Sequence, residues 1–151
     1  MQTLTNYLSE NGLTETQANK INSIFNKVIV IEKDEFFHKE NQICDKIGFI
    51  VDGMCRYFYH TEKEDVTRWI GLKNEFVTSL SSFITQNPSL ENIQAIKKTK
   101  IFVASKKDWE KLYLDNDFVR QLWVKSIENN YTGIENRVFN LIAVTAEERY
   151  T

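Results

Sequence analysis

Apolar residues recur at two different periods along the chain, and the switch between them marks out its elements. Ala18, Ile21, Phe25 and Val28 follow at steps of three and four, the spacing of one helix face. Ahead of them Thr14-Glu15-Thr16-Gln17, just after Gly12, has the form of a capping box. A short helical turn around Asn6 to Ser9 precedes that. From Val28 to Ser105 the period falls to two. Ile29 and Ile31 alternate with Val28, Val30 and Glu32, and Ile47, Phe49 and Val51 alternate with Gly48 and Ile50. Asp52-Gly53 predicts a tight hairpin into an aromatic strand, Met54 to His60, because both turn positions tolerate positive φ. The charged tip 61–65 leads to a strand from Val66 to Ile70. Ile93 to Lys97 and Ile101 to Ala104 read as a last hairpin about Lys98-Thr99. Short strands separated by turns, with few helices between them, predict an antiparallel barrel or jelly roll.

The segment from Gly71 to Leu90 breaks the alternation. It carries Thr78, Ser79, Ser81, Ser82, Asn87 and the only proline, Pro88, and it is too long for a turn. A loop of that length in a barrel is expected to be functional. After Ser105 the helical period returns. Ser105 caps Lys106 to Leu112, with Asp108 in the first turn, and Asp115-Asn116-Asp117 offers a second cap. Trp123, Ile127, Asn130, Ile134, Val138 and Leu141 then step by three or four, close to the 3.5-residue seam of a coiled coil. A helix of roughly 28 residues is ~42 Å long, longer than a small barrel covers. The expected partner for its apolar stripe is a second copy of the chain, giving a homodimer with Asn130 fixing the register. The pattern divides into a helical segment 1–26, a barrel 27–105, a short and a long helix 106–145, and a hinge 146–151.

Composition narrows the function. The chain has 151 residues, 42% of them hydrophobic, which suffices for one core without metal or disulfide support. A net charge of −2 argues against a nucleic-acid-binding face, and Lys97, Lys98, Lys100, Lys106 and Lys107 read as solvated. Cys44 and Cys55 are expected to be small buried residues in a reducing compartment. No apolar run is long enough for a membrane span and no signal peptide opens the chain, so a cytoplasmic location is expected. His38 and His60 are the only histidines, too few for a metal-binding cupin site. There is no Gly-rich phosphate loop followed by Lys and no serine elbow. No catalytic residue, metal or cofactor is therefore expected, and the chain is not expected to be an enzyme.

The order of helix, strands, interrupting loop, short helix and long helix resembles the cyclic-nucleotide-binding domain of the Crp/Fnr family over roughly residues 14–151. The run from Cys44 to Tyr59 resembles that family's third and fourth strands. Glu75-Phe76 resembles the entry to its phosphate-binding loop, and Leu141 to Tyr150 its hinge. The resemblance implies a mainly β double-stranded β-helix (jelly-roll) barrel with flanking helices and a long C-terminal dimerisation helix. Its implied role is effector sensing in a bacterial transcription regulator. Nucleotide-binding members carry Gly-Glu in the loop and Arg-Ser or Arg-Thr after it; the arginine clamps the cyclic phosphate bidentately. Here Thr78-Ser79 aligns with the first pair and Glu91-Asn92 with the second, and no arginine lies between Trp69 and Val119. The candidate ligand residues are Glu75, Phe76, Val77, Thr78, Ser79, Leu80, Ser81, Ser82, Glu91 and Asn92, with Arg68 as the nearby cation. Strand parity points Arg68 outward or toward an acidic neighbour. A carboxylate where the arginine belongs repels a phosphate, so cAMP and cGMP are not expected to bind, while the loop hydroxyls remain available to another small effector. The winged helix that contacts DNA in this family would begin near Thr145, so the resemblance implies a DNA-binding domain outside this sequence. A stand-alone regulatory module acting on a partner protein, or a cupin-type metal enzyme, are the other readings.

Overall fold

The computed structural model of the chain describes residues 2–132. They belong to two compact units, Met1–Leu112 and Tyr113–Thr151. In the first, α1 (Gln2–Glu10) and α2 (Glu15–Ile24) precede eight strands: β1 (Lys27–Ile31), β2 (Phe36–His38), β3 (Lys46–Asp52), β4 (Met54–His60), β5 (Asp65–Leu72), β6 (Phe76–Val77), β7 (Asn92–Ala95) and β8 (Thr99–Ser105). A short helix, α3 (Leu80–Thr85), separates β6 from β7, and α4 (Lys106–Asp115) follows β8. The strands form two four-stranded antiparallel sheets, ordered β1-β8-β3-β6 and β2-β7-β4-β5, in a jelly roll.

The caps form as the sequence predicts. The Gln17 amide donates to the Thr14 hydroxyl at 3.2 Å, and the Thr14 amide donates to the Gln17 side chain at 3.0 Å. The Asp108 amide donates to the Ser105 hydroxyl at 3.1 Å and opens α4. The turn expected around Asn6 is part of the longer α1. Val28 lies outside α2; it belongs to β1, with its side chain half exposed.

Two of the three predicted hairpins are crossovers. β3 and β4, joined by Asp52-Gly53, lie in different sheets, and so do β7 and β8 on either side of Lys98. The reason is hydrogen-bond saturation: β3 already has β8 on one edge and β6 on the other, and β4 already has β7 and β5. Gly53 does take positive φ, at 113°, but Asp52 does not. The two crossovers pass each other at the fully buried Thr99. Its hydroxyl accepts from the Met54 amide at 3.1 Å and donates to the Lys97 carbonyl at 2.7 Å, while the Ile96 amide donates to the Met54 carbonyl at 2.8 Å. A Cβ on Gly53 would lie 2.6 Å from the Thr99 Cα. The β4–β5 hairpin, with its charged tip, is as predicted.

β3 is buried from Ile47 to Ile50 because both of its faces are covered. Inside, Ile50 joins Ile31, Phe37, Cys55, Tyr57, Val77, Ile93, Ala95, Ile101 and Val103 in the barrel core. Gly48 leaves room there, since a Cβ at this position would meet Ile101 Cγ2 at 2.5 Å and Val77 Cγ1 at 2.9 Å. Outside, the Phe49 ring packs on Tyr7 of α1 and on Phe76, with centroids 5.2 and 5.3 Å away. Phe25 and Trp109 complete this aromatic cluster, which fastens α1, α2 and α4 to the sheet.

In the second unit a helix covers 117–132 of the described residues. Arg120 closes the break before it, donating to the Tyr113 and Leu114 carbonyls at 2.6 and 2.9 Å and pairing with Asp117. Of the expected seam, Trp123 and Ile127 are half-buried and Asn130 is exposed; Ile134, Val138 and Leu141 lie outside the described residues. The buried positions of this helix are Val119 and Leu122, which the sequence reading did not single out.

The corner gives a direct test. Gly53→Ala combines positive φ with a backbone clash and is expected to cost about 2–4 kcal/mol in urea unfolding. Thr99→Val, which keeps the shape and strands the Met54 amide, is expected to cost about 1–3 kcal/mol. A Gly53→Ala chain as stable as the parent would show that the corner bears no strain.

Candidate functional site

The cleft lies where chain leaves and re-enters the barrel between β6 and β7. Ser79, two residues past the end of β6, opens α3, though its hydroxyl makes no cap bond to the helix. Gln86 closes α3 in the left-handed region, at φ 57°, and its side-chain amide donates to the Cys44 carbonyl at 2.9 Å. Six residues make fewer than two turns, so α3 holds through these end contacts and the buried Phe83 rather than through helix propensity. The result is a cleft of about 330 Å³ lined by Tyr59, Ser79, Ser81, Ser82, Thr85, Asn87, Pro88, Ser89, Leu90 and Glu91. That volume is at the low end for small-molecule sites.

One lining residue, Glu91, is held in an ion pair. Nε and Nη2 of Arg68 both reach Oε2 of Glu91, at 3.0 and 2.9 Å. The Ser79 hydroxyl donates to the other carboxylate oxygen at 3.2 Å. Ser89 lies 3.0 Å from Ser79, and its hydroxyl accepts from the Glu91 amide at 2.9 Å. The Glu91 side chain is 9% exposed and that of Arg68 32%. Strand parity left Arg68 pointing outward or toward an acidic neighbour; it pairs with the acidic Glu91, and it stands at a β-bulge. Tyr57 pairs with Trp69 and Phe58 with Thr67, so Arg68 is the extra residue of the bulge. A bulge re-aims the side chain it carries. The guanidinium lies 5.1 Å from the Tyr57 ring centre and reaches across β4 to the chain entering β7. Burial among these groups holds the Tyr57 phenol well above its ordinary pKa.

The other expected site residues have different surroundings. Thr78 donates to the Lys46 carbonyl at 2.8 Å. The Ser82 hydroxyl donates to the Asn87 carbonyl at 2.6 Å and accepts from the Cys44 amide at 2.8 Å. These two hydroxyls hold the loop to the barrel. Phe76 belongs to the outer aromatic cluster and Val77 to the core. Asn92 is buried, its side-chain oxygen accepting from the Glu40 amide at 2.9 Å. Leu80 is half-buried and Ser81 exposed on the cleft. Glu75 precedes β6, and its carbonyl accepts from the Ile50 amide at 3.0 Å. Desolvation raises its carboxyl pKa. Ser89 was missed; it follows the only proline, the one local signal that the chain turns there. Among the described residues, no three His, Cys, Asp or Glu side chains converge as metal ligands, and no helix is long and apolar enough to cross a membrane.

Solved structures with the same arrangement settle the fold. A cyclic nucleotide-binding domain from Methylobacillus flagellatus superposes with a TM-score of 0.77 over 91% of this chain and 82% of its own, at 12% identity. The chain has the cyclic-nucleotide-binding fold. The catabolite activator protein of Thermus thermophilus has a TM-score of 0.71 at 12% identity; the match covers 86% of this chain and 61% of that one. The sensor domain of the transcriptional regulator DNR from Pseudomonas aeruginosa has a TM-score of 0.68 at 13% identity, covering 91% and 89%. No family model and no curated protein matches the sequence.

Two outcomes test the site. Arg68→Met leaves the Glu91 carboxylate buried without its cation and is expected to cost about 2–4 kcal/mol, whereas adding Glu91→Leu is expected to recover most of the loss. A double-mutant cycle by urea unfolding measures the coupling, and additive losses would mean that the pair is not coupled. Glu75 gives a pH signature. Its folded pKa lies above its unfolded value of 4.5, so its charged form opposes folding as pH rises through that window. Glu75→Gln is expected to stabilise the chain at neutral pH and to lose that advantage below pH 4.5.

Proposed function

We propose that the chain is the effector-sensing and dimerisation domain of a Crp/Fnr-like bacterial transcription regulator that does not use cAMP or cGMP. The fold supports a regulatory binding role, as do the roles of the catabolite activator and the DNR sensor domain. The observation that carries the finer reading is the Glu91 carboxylate. It aligns with the position of the family's phosphate-clamping arginine, and it takes up both near donors of Arg68. A cyclic phosphate entering this cleft meets a negative charge and no unengaged clamp.

In this reading the effector is a small molecule other than a cyclic nucleotide, the barrel is neither an enzyme nor a metal site, and DNA is contacted by a separate winged-helix domain. The helix beginning at 117 supplies the dimer seam through Trp123, Ile127 and Asn130, and the sequence pattern carries that seam on to Ile134, Val138 and Leu141. Effector binding shifts the loop between β6 and β7 and, through it, the paired helices, a rigid-body switch.

Calorimetry with cAMP and cGMP tests the ligand half: no binding is expected up to millimolar nucleotide, and a micromolar Kd overturns it. Sedimentation tests the assembly. A dimer is expected, with Trp123→Glu/Ile127→Glu shifting it to monomer, and a parent chain that is monomeric at high concentration overturns it.

A further inference from the structure

His38 is the last residue of β2 and is only 5% exposed. Its Nε2 is buried and has no hydrogen-bond partner among the described residues. Across the β2–β7 ladder it faces the apolar Ile93. The charges that act on the ring stand at the start of β3: the Lys46 ammonium, which lies 4.6 Å from the centre of the neighbouring Phe37 ring, and the Asp45 carboxylate. Burial and then Lys46 hold the imidazole below its ordinary pKa of 6.5, against the pull of Asp45. Directly after His38 the chain leaves the sheet, and residues 39–45 run beside α3 and the turn that follows it. The Asn41 amide donates to the Ser89 carbonyl at 2.8 Å, and the Ser89 amide donates to the Gln42 carbonyl at 2.9 Å. Cys44 adds its two backbone bonds, to the Ser82 hydroxyl and from the Gln86 side chain. Ser82 and Ser89 line the cleft, so residues 39–45 back it from behind. We infer that His38 is an acid-sensitive latch: its protonation releases residues 39–45 from the segment 82–89 and loosens the cleft on that side.

The chemistry of the ring sets the direction. A neutral imidazole leaves one nitrogen unpaired at this place. An imidazolium carries a second N–H and a full charge, and a buried charge without a partner costs far more than a buried neutral group. The charge regains water when the ring leaves its place, and residues 39–45 can follow it because they belong to no strand. The turn within them holds Asn41 at φ 67°, in the left-handed region. The closed segment favours neutral His38, so closure is fully present above pH 6.5 and is lost as pH falls below it. The other histidine acts in the opposite sense. His60 pairs with Asp65, and its Nε2 lies 3.7 Å from the Glu40 carboxylate of the same segment, so a proton on His60 fastens what a proton on His38 frees. This latch goes beyond the sensing role proposed above and does not depend on which effector the cleft takes.

The experiment follows amide hydrogen exchange by NMR from about pH 7.5 to about pH 5 in the parent, His38→Gln and His60→Gln, with each rate divided by its intrinsic value at that pH. In the parent, protection of the Asn41, Cys44 and Ser89 amides is expected to fall about tenfold per pH unit between 6.5 and the lower pKa of the closed state, while the amides of β8 keep theirs. His38→Gln is expected to lose this slope and His60→Gln to keep it. The chain has two histidines, so the His60→Gln spectrum assigns the His38 ring signal, which is expected to stay neutral to below pH 6.5. Should His38→Gln not fold, the parent's ring signal and amide protection decide by themselves. An unchanged slope in His38→Gln, loss of the slope in His60→Gln, loss of protection in β8 at the same pH, or a His38 ring that is protonated with the three amides at their neutral-pH protection overturns the inference. None of these outcomes bears on nucleotide binding or on the dimer, which calorimetry and sedimentation judge separately.

Discussion

The sandwich closes around one buried hydroxyl. Thr99 lies where both sheet-to-sheet crossovers pass, and it satisfies the Met54 amide and the Lys97 carbonyl at a place where neither strand ladder reaches them. A buried backbone group left alone there would cost as much as a typical hydrogen bond contributes, or more. The close approach needs a residue without a Cβ, which Gly53 supplies. From that corner the remaining geometry follows. β3 is fixed between β8 and β6, its inner face completes the barrel core, and its outer face receives the aromatic rings of the helices.

The same arrangement sets where the cleft opens. β6 has two residues, so the chain leaves the sheet at once and returns only at Asn92. The excursion between them is tied to the barrel by the hydroxyls of Thr78 and Ser82 and by the side chain of Gln86, and what remains open is lined in part by Glu91, which Arg68 holds. Arg68 is on the edge strand and Glu91 enters the strand two places away, with β4 between them. The pair thus spans three strands of one sheet and ties the cleft to the β4–β5 hairpin.

The helices, their caps, the strand-rich centre and the jelly-roll class were legible because each rests on local periodicity or on one capping residue. The pairing of strands was not, because Asp52-Gly53 and Lys98-Thr99 say only that the chain turns. Whether it turns within a sheet or between sheets depends on which edges are already occupied. β2 and β6 are too short for alternation to show, and α3 is too short for a helical period. The loop residues were named, yet Thr78 ties the loop to the barrel outside the cleft lining, and Ser82 both lines the cleft and holds the loop. An acidic neighbour for Arg68 was one of two expectations from strand parity, but that it would be Glu91 was not legible, for a sharper reason. It depends on a bulge, and a one-residue slip in a strand reverses the face of a side chain without any mark in the sequence.

Cys55 lies fully buried in the barrel core, and burial lifts its thiol to a pKa of about 11. At neutral pH only about one such thiol in ten thousand is ionised, and the thiolate is the form that alkylating reagents and oxidants attack. The folded barrel thereby shields this sulfur twice, by wall and by protonation. Its modification rate is accordingly a clock for the moments when the two sheets part, carried by the chain without any added label.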